Sequence, residues 1–533
     1  MRTQHPEDMI AEGSRVLFDP VSESTSPISI STVSTVSTVA QAEAGTVQAR
    51  ALSGVLSLLG REVVIRVMSV GGAVVLSRFL SPVEYGLFGI ATFVVGIVAL
   101  FSELGLGAAF IRRKEEVTDK ELNAMFTLQL AFVSALAGGL FLLAPAVAGL
   151  YDVPAVEWLI RALAVNVIVA SLRSVPVVVA ERNLNYRPIA LADVVGQFSY
   201  WLVAISGAVL GLGVWSLVLA VSVSGLAGSA ALYIRTAWRP TLDFNWRPLK
   251  ESVRYGLLYQ SQSVASFVKD TMVPAIGGPV FGPLAVGYLA WAVQLTAMPL
   301  ILGQLVSRVC YPALGRLQND RKAFIAMLEA ALAWTYRLSL PVFAVLVGLA
   351  PRIIEHIFTS KWLPAEPSIY LLTINMVLGI GTGIFVAALY SLGRGGSVLR
   401  VTGAWAGLTW VSAILMITLG LGFEAIAAAY AVGTAIAFPV MIYELRDLGG
   451  ILLLRSAALP FVTCLIGGAL LYMSRSWVTD LWRLLLIAGL GTLVMWAISL
   501  WPNRHAVFAI AGRLLPEIAG SGSSANSSAG RES

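Results

Sequence analysis

Charge is scarce in this 533-residue chain. Asp, Glu, Lys and Arg together make up 12% of it, against about 25% in an ordinary soluble domain. That shortage excludes a water-soluble globular protein. Histidine and cysteine are rarer still, with three copies and two. His5, His356 and His505 are scattered outside the apolar blocks, and Cys310 and Cys464 stand far apart with no CxxC spacing, so neither a metal cluster nor a disulfide framework is expected. No metal and no cofactor is called for. The apolar blocks show no two-residue alternation, which excludes a membrane β-barrel. The start of the chain lacks the basic stretch, short apolar core and cleavage site of a signal peptide.

What is abundant is apolar. Hydrophobic residues make up 57% of the chain, and the mean hydropathy is +0.81. They come in blocks of about 20 residues, the length that crosses the hydrocarbon as a helix. The expected fold is an all-α polytopic membrane protein with about 14 transmembrane helices. The spans fall at roughly 57–79, 85–108, 123–149, 156–180, 188–212, 213–235, 255–277, 283–307, 323–350, 367–392, 398–420, 423–444, 452–473 and 480–501. Only Gly211-Leu212-Gly213 separates the fifth from the sixth. Residues 1–54, with the run STVSTVSTV at 31–39, read as a disordered cytoplasmic extension, and the Gly/Ser-rich tail within 504–533 as flexible. Within that tail, 504–515 is too short to span and suits an amphipathic helix on the inner face.

The net charge of +6 follows from loop composition rather than from a nucleic-acid partner. Loops on one side hold about nineteen Lys and Arg residues against about five on the other, the bias that orients helices toward the cytoplasm. A missed or invented span would swap every later loop and destroy that pattern. Both termini are therefore expected in the cytoplasm.

One pattern repeats. FLSPVEYGLFGIA (79–91) and VFGPLAVGYLAWA (280–292) match at an offset of about 201, with Pro82 on Pro283 and Gly86 on Gly287. Each is the first hairpin of a six-span half, so the halves run as parallel repeats. The domain division follows: an N-lobe at 55–236, a cytoplasmic loop at 237–254, a C-lobe at 255–446, two further spans within 447–503, and a central cleft between the lobes.

Ionisable residues inside the spans cost roughly 2.5–3.5 kcal/mol each on insertion scales, so each needs a partner, a cavity or a function. Arg66, Lys269, Asp270 and Arg337 lie near the middle of their spans, and Arg173, Asp193 and Glu103 lie nearer the cytoplasmic side. Glu62 precedes Arg66 by four residues, the spacing of an ion pair within one helix. Arg173, Asp193 and Glu103 share a depth that suits a structural network.

RFLSPVEYGLFGIA with ELGLGAAFIRRKE (103–115), then FVKDTMVPAIGGPVFGPLAVGYLAWAVQLTAMPL (267–300) and RVCYPALGRLQND (308–320), resemble the Wzx-like polysaccharide and lipopolysaccharide biosynthesis flippases of the multidrug/oligosaccharidyl-lipid/polysaccharide exporter superfamily. The likeness covers about residues 55–450, and the N-terminal extension departs from it. It implies alternating-access transfer of a polyprenyl-pyrophosphate-linked oligosaccharide across the bacterial inner membrane, with that lipid, membrane lipids and other polysaccharide-assembly proteins as partners. On that implication Arg66, Lys269, Arg337 and Arg173 are candidate contacts for the pyrophosphate, since guanidinium binds phosphate bidentately and stays charged when desolvated. Gln197, Gln260, Gln262 and Gln294 would form a polar wall for sugars. Asp270 matches an acidic position of the family's seventh span and, with Asp193, stands as a coupling or structural acid.

Three other functions compete, one of them a purely structural scaffold for the polysaccharide machinery, which the interior charges make less attractive. A membrane polymerase or glycosyltransferase needs a sizeable outer loop, and the longest here, about 351–366, is too short for two sugar substrates. A drug/cation antiporter of the same superfamily would favour a carboxylate deep in the first span, where only Glu62 is present, near its cytoplasmic end. No catalytic residue is expected, so the protein is read as a transporter and not an enzyme.

Overall fold

The computed structural model of the chain describes residues 62, 64–102, 107, 110, 117–244, 263–448 and 455–501. The expectations for 1–54, Glu103, Gln260, Gln262 and 504–533 fall outside them. Every regular element among the described residues is helical. That is the form that satisfies all backbone N–H and C=O groups within a single segment, as hydrocarbon requires.

The first half comprises α1 (64–79), α2 (Pro82–Ser102), α3 (Asp119–Leu150), α4 (Ala155–Ser171), α5 (Ser174–Arg182), α6 (Arg187–Val209) and α7 (Trp215–Arg235). The second comprises α8 (Ser263–Ala297), α9 (Leu300–Leu317), α10 (Arg321–Gly348), α11 (Glu366–Ser391), α12 (Gly395–Thr418) and α13 (Glu424–Glu444). Two further helices, α14 (Arg455–Ser474) and α15 (Leu481–Leu500), pack on α10. Twelve helical stretches among the described residues are long and apolar enough to cross a membrane. The expectation of fourteen divides α8 at Gly282 and adds α1; the twelve stretches do not by themselves fix that number.

Local chemistry explains the boundaries. Ser81 and Glu84 cap α2 reciprocally: the Ser81 N–H donates to Glu84 Oε2 at 2.6 Å, and the Glu84 N–H donates to Ser81 Oγ at 3.3 Å. Pro82 at the first helical position has no N–H to leave unpaired. Thr118 and Glu121 form the same box at the start of α3. Asp320 and Asp480 cap α10 and α15 through their carboxylates. The expected fourth span is interrupted at Leu172–Arg173. The cause is Pro176, which lacks an N–H and crowds the carbonyl four residues back. Gly211 (φ 78°) and Gly213 (φ 55°) make the turn between α6 and α7, a backbone that L side chains rarely adopt.

Within α8 the chain breaks at Gly282, with φ 76° and ψ 179°. Its two arms meet there, as the repeated hairpin required. One apolar core runs through both halves, with Ile90, Val94, Leu159 and Ile160 on one side and Val286, Leu289, Trp291 and Ile426 on the other. A second core around Leu332, Tyr336, Phe385 and Met441 belongs to the second half with α14 and α15. A third, around Met125, Phe126, Val178 and Trp238, belongs to the first half. The halves are thus fused at one level and separately packed elsewhere.

Candidate functional site: the boundary between the halves

Among the described helices, α2 and α8 form the main contact between halves. It is tightest where the repeated hairpins turn, here termed the hairpin end. A Cβ placed on Gly86 would lie 1.7 Å from the Pro283 carbonyl oxygen, and one on Gly287 would lie 1.7 Å from the Pro82 carbonyl oxygen. The two halves therefore touch backbone to backbone through equivalent residues. Further contacts extend the seal. Tyr151 closes on Gly278, where a Cβ would come within 2.3 Å of its ring, and Phe267 stacks on Phe93 with ring centroids 6.1 Å apart.

The connection from α10 to α11 completes it. Trp362 is fully buried there, stacked on Trp291 at 4.7 Å and edge-on to Tyr85 at 5.2 Å and Tyr288 at 6.3 Å. Sequence reasoning saw this stretch only as a loop too short for an enzyme. It is a plug. Its ring partners on α2 and α8 are distant in sequence, and Trp362 within SKWLPA was the signal available.

Away from the hairpin end the boundary is polar. Arg66 Nε donates to Glu62 Oε1 at 2.9 Å, and its Nη2 approaches Gln304 Oε1 of α9 at 3.5 Å. The Arg66 side chain is still 40% exposed. Gln304 and Gln294 are both exposed, and Gln197 Nε2 donates to Ser69 Oγ at 3.4 Å. Sequence reasoning missed Gln304, although it is a polar residue inside an apolar span like its neighbour Gln294.

Lys269 and Asp270 are adjacent on α8, about 100° apart round the helix, and differ in exposure. Phe267 packs on Phe93 and Gly96 of the first half, and Asp270 lies only about 60° round from it. The Asp270 side chain is 62% exposed against 18% for Lys269, with which it is ion-paired. Lys269 sits over the Trp405 ring of α12, 4.6 Å from its centroid. Tyr430 of α13 donates its hydroxyl to the Asp270 carbonyl at 3.1 Å.

The other two cations lie inside one half. Arg173, at the α4–α5 break, donates to Asp193 Oδ1 of α6 at 2.7 Å, and its guanidinium lies against Gly228 of α7. Arg337 is 8% exposed, its Nε has no hydrogen-bond partner, and no ion pair is found for it among the described residues. Two residues before it, Thr335 faces Gly303 of α9; eleven residues after it, Gly348 faces Gly468 and Leu471 of α14. Eleven residues make about three turns plus 20°, so Arg337 points with Gly348 toward α14 and away from α9. The four cations named from the sequence therefore do not converge on one site. Arg66 is at the boundary, Lys269 against α12, Arg173 among α4, α6 and α7, and Arg337 on the α14 side.

No group of three or more His, Cys, Asp or Glu able to hold a metal occurs among the described residues. The boundary offers an arginine with a carboxylate four residues away, an exposed carboxylate, and amide side chains. Arg66 is already paired with Glu62 there, and its Nη2 approaches Gln304 across the boundary.

The family model described as polysaccharide biosynthesis protein matches residues 75–367. The chain is 24% identical over 322 residues to the succinoglycan biosynthesis transport protein ExoT of Rhizobium meliloti (strain 1021), covering 60% of this chain and 65% of the relative. It is 21% identical over 319 residues to the lipopolysaccharide biosynthesis protein WzxC of Escherichia coli (strain K12), covering 58% and 64%. The match thus spans a little under two thirds of the length of these curated relatives. Among solved structures it is similar to the lipid II flippase MurJ in an inward closed conformation, with a TM-score of 0.66, 14% identity, and 84% of this chain and 99% of that one covered. An inward-facing multidrug resistance transporter of the MATE family follows at a TM-score of 0.58 and 19% identity, covering 72% and 95%. These likenesses establish the fold.

Proposed function

Because the chain belongs to the polysaccharide biosynthesis protein family, we propose that it is a flippase, moving a polyprenyl-pyrophosphate-linked oligosaccharide across the bacterial inner membrane for exopolysaccharide or lipopolysaccharide assembly. The observation that carries the reading is the backbone contact of Gly86 with Pro283 and of Gly287 with Pro82. Two repeated bodies meet there, sealed at one end and joined by polar side chains away from it, which is the arrangement alternating access needs. The excess of Lys and Arg in alternate loops supports an assignment of the hairpin end to the periplasm and of both termini to the cytoplasm. On this assignment the structure is the state closed to the periplasm.

The lobes are taken as 55–236 and 255–446, with the cleft between them. Of the candidate cations, Arg66 is the exposed one at the lobe boundary, and the pyrophosphate contact is assigned to it. Glu62 neutralises it while no anion is bound, and Gln304, Gln294 and Gln197 supply hydrogen bonds to sugars. Asp270 faces the same boundary and is assigned as the acid that senses a coupling ion. Arg173 with Asp193 braces the first lobe. Arg337 lies outside this set.

The test is deletion of the gene. Lipid-linked repeat units trapped on the cytoplasmic leaflet would support the flippase. Units that reach the periplasm but stay unpolymerised would replace it with the polymerase or glycosyltransferase. Normal polysaccharide with a drug-sensitive phenotype would favour the antiporter.

A further inference from the structure

Ser77 and Arg78 lie in the last turn of α1, where carbonyl groups have no partner within the helix. Both carbonyls are taken by the other half. The Trp362 indole N–H donates to the Ser77 carbonyl at 2.9 Å, and Lys361 Nζ donates to the Arg78 carbonyl at 2.9 Å. The exchange runs the other way as well. Arg78 Nε donates to the Ile357 carbonyl and Arg78 Nη2 to the His356 carbonyl, each at 2.9 Å. Those carbonyls close the short helical run of 350–358 in the α10–α11 connection. Each half thus caps a helix end of the other.

Three of the four donated bonds come from cations, and a cation at a helix C-terminus is favoured by the helix dipole. All four acceptors are backbone carbonyls, so they persist when a donor side chain is changed. Parting the halves at the hairpin end breaks all four bonds at once. We propose that this reciprocal cap, made by Arg78, Lys361 and Trp362, is the lock that holds the hairpin end shut and sets how often it opens. Its consequence for transport rests on the flippase reading above; the lock itself does not.

Spin labels on Leu212 and Leu421 would read it, since these residues are 44% and 45% exposed in the α6–α7 and α12–α13 turns. Cys310→Ala and Cys464→Ala clear the background. The full chain in lipid nanodiscs, without substrate, is measured by double electron–electron resonance. The lock requires that Arg78→Gln and Lys361→Met each add a longer-distance population, roughly tenfold larger than in the parent, because a hydrogen bond to a charged group is worth about one such factor. Trp362→Phe, which keeps the ring and loses only the N–H, moves the same way by less. Should Arg78→Gln fail to fold, Arg78→Lys decides, with an intermediate population expected. Unchanged distances in folded variants would overturn the lock. A shifted distance in a protein whose deletion leaves lipid-linked units untouched would overturn the transport reading and leave the lock standing.

Discussion

Gly86 and Pro283 meet backbone to backbone across the two halves, and Gly287 and Pro82 repeat the contact with the halves exchanged. In each case a methyl group would lie 1.7 Å from a carbonyl oxygen. Helix backbones approach this closely only at residues without a side chain. Gly86→Ala or Gly287→Ala must therefore push α2 and α8 apart at the hairpin end. The expected loss of stability is about 1–3 kcal/mol, the usual range for overpacking, with a matching fall in melting temperature in detergent. Opening between Leu212 and Leu421 should rise in both variants. An alanine variant with the parent's melting temperature and distances would mean that the helices do not meet as described.

The repeat behind that contact was legible in the sequence, because proline and glycine punctuate turns and recur at the same place in two halves, but the contact itself was not. The Glu62–Arg66 pair was legible too, since four-residue spacing fixes its geometry. The plug was not. Trp362 and Lys361 bond to backbone carbonyls of residues 77 and 78, and a carbonyl carries no side-chain signature to search for. The direction of Arg337 was hidden for a different reason. Counting eleven residues to Gly348 gives its face, but only the packing of α14 says what lies on that face. Arg173 and Asp193 shared a depth in the sequence, and the structure joins them at 2.7 Å.

Arg66 carries the pyrophosphate assignment. Arg66→Ala should abolish transport of lipid-linked units while the protein remains folded and in the membrane. Arg66→Lys keeps the charge and loses the planar fork, so it should retain a fraction of the activity. Transport is read by accumulation of units in the cytoplasmic leaflet of cells carrying each variant. Full activity of Arg66→Ala would remove the residue from the site.

Arg173 and Asp193 tie the broken fourth span to α6, and each side chain is 27% exposed. A half-shielded pair of this kind is worth more than a surface one and less than a dry one. A double-mutant cycle with Arg173→Met and Asp193→Asn should return a coupling of roughly 1–2 kcal/mol. Thermal unfolding of the four proteins supplies it. A coupling near zero would leave the α4–α5 break held by packing alone.

The short turn that follows α13 gives a pH test. Arg394 donates to both carboxylate oxygens of Asp447, one of the two bonds being 3.2 Å long. That partner holds the Asp447 carboxyl below its ordinary value of about 3.8. A depressed acid stabilises the fold at pH above its unfolded value and loses that contribution as pH falls through the folded one. The Asp447 side chain is half exposed, so the effect should stay below about 1 kcal/mol. Arg394→Gln should melt slightly lower than the parent at pH 7, and the gap should close as pH falls below the ordinary carboxylate range. A gap that persists in acid would assign the effect to the Arg394 bond with the Glu444 carbonyl instead.

Arg337 offers the sharpest choice between structure and transport. Among the described residues it has no anionic partner and its Nε is unpaired, although the residue is only 8% exposed. A buried charge left alone is strongly unfavourable, and replacing it with an apolar side chain of similar length is neutral or stabilising. Arg337→Met should therefore melt at or above the parent's temperature. Its transport should also survive, because the side chain points toward α14 and away from α9. Melting several degrees lower would reveal an anion bound to Arg337 in the membrane. Loss of transport with unchanged melting would show that the substrate reaches the α14 side of α10, and would add Arg337 to Arg66 as a contact for its charged group.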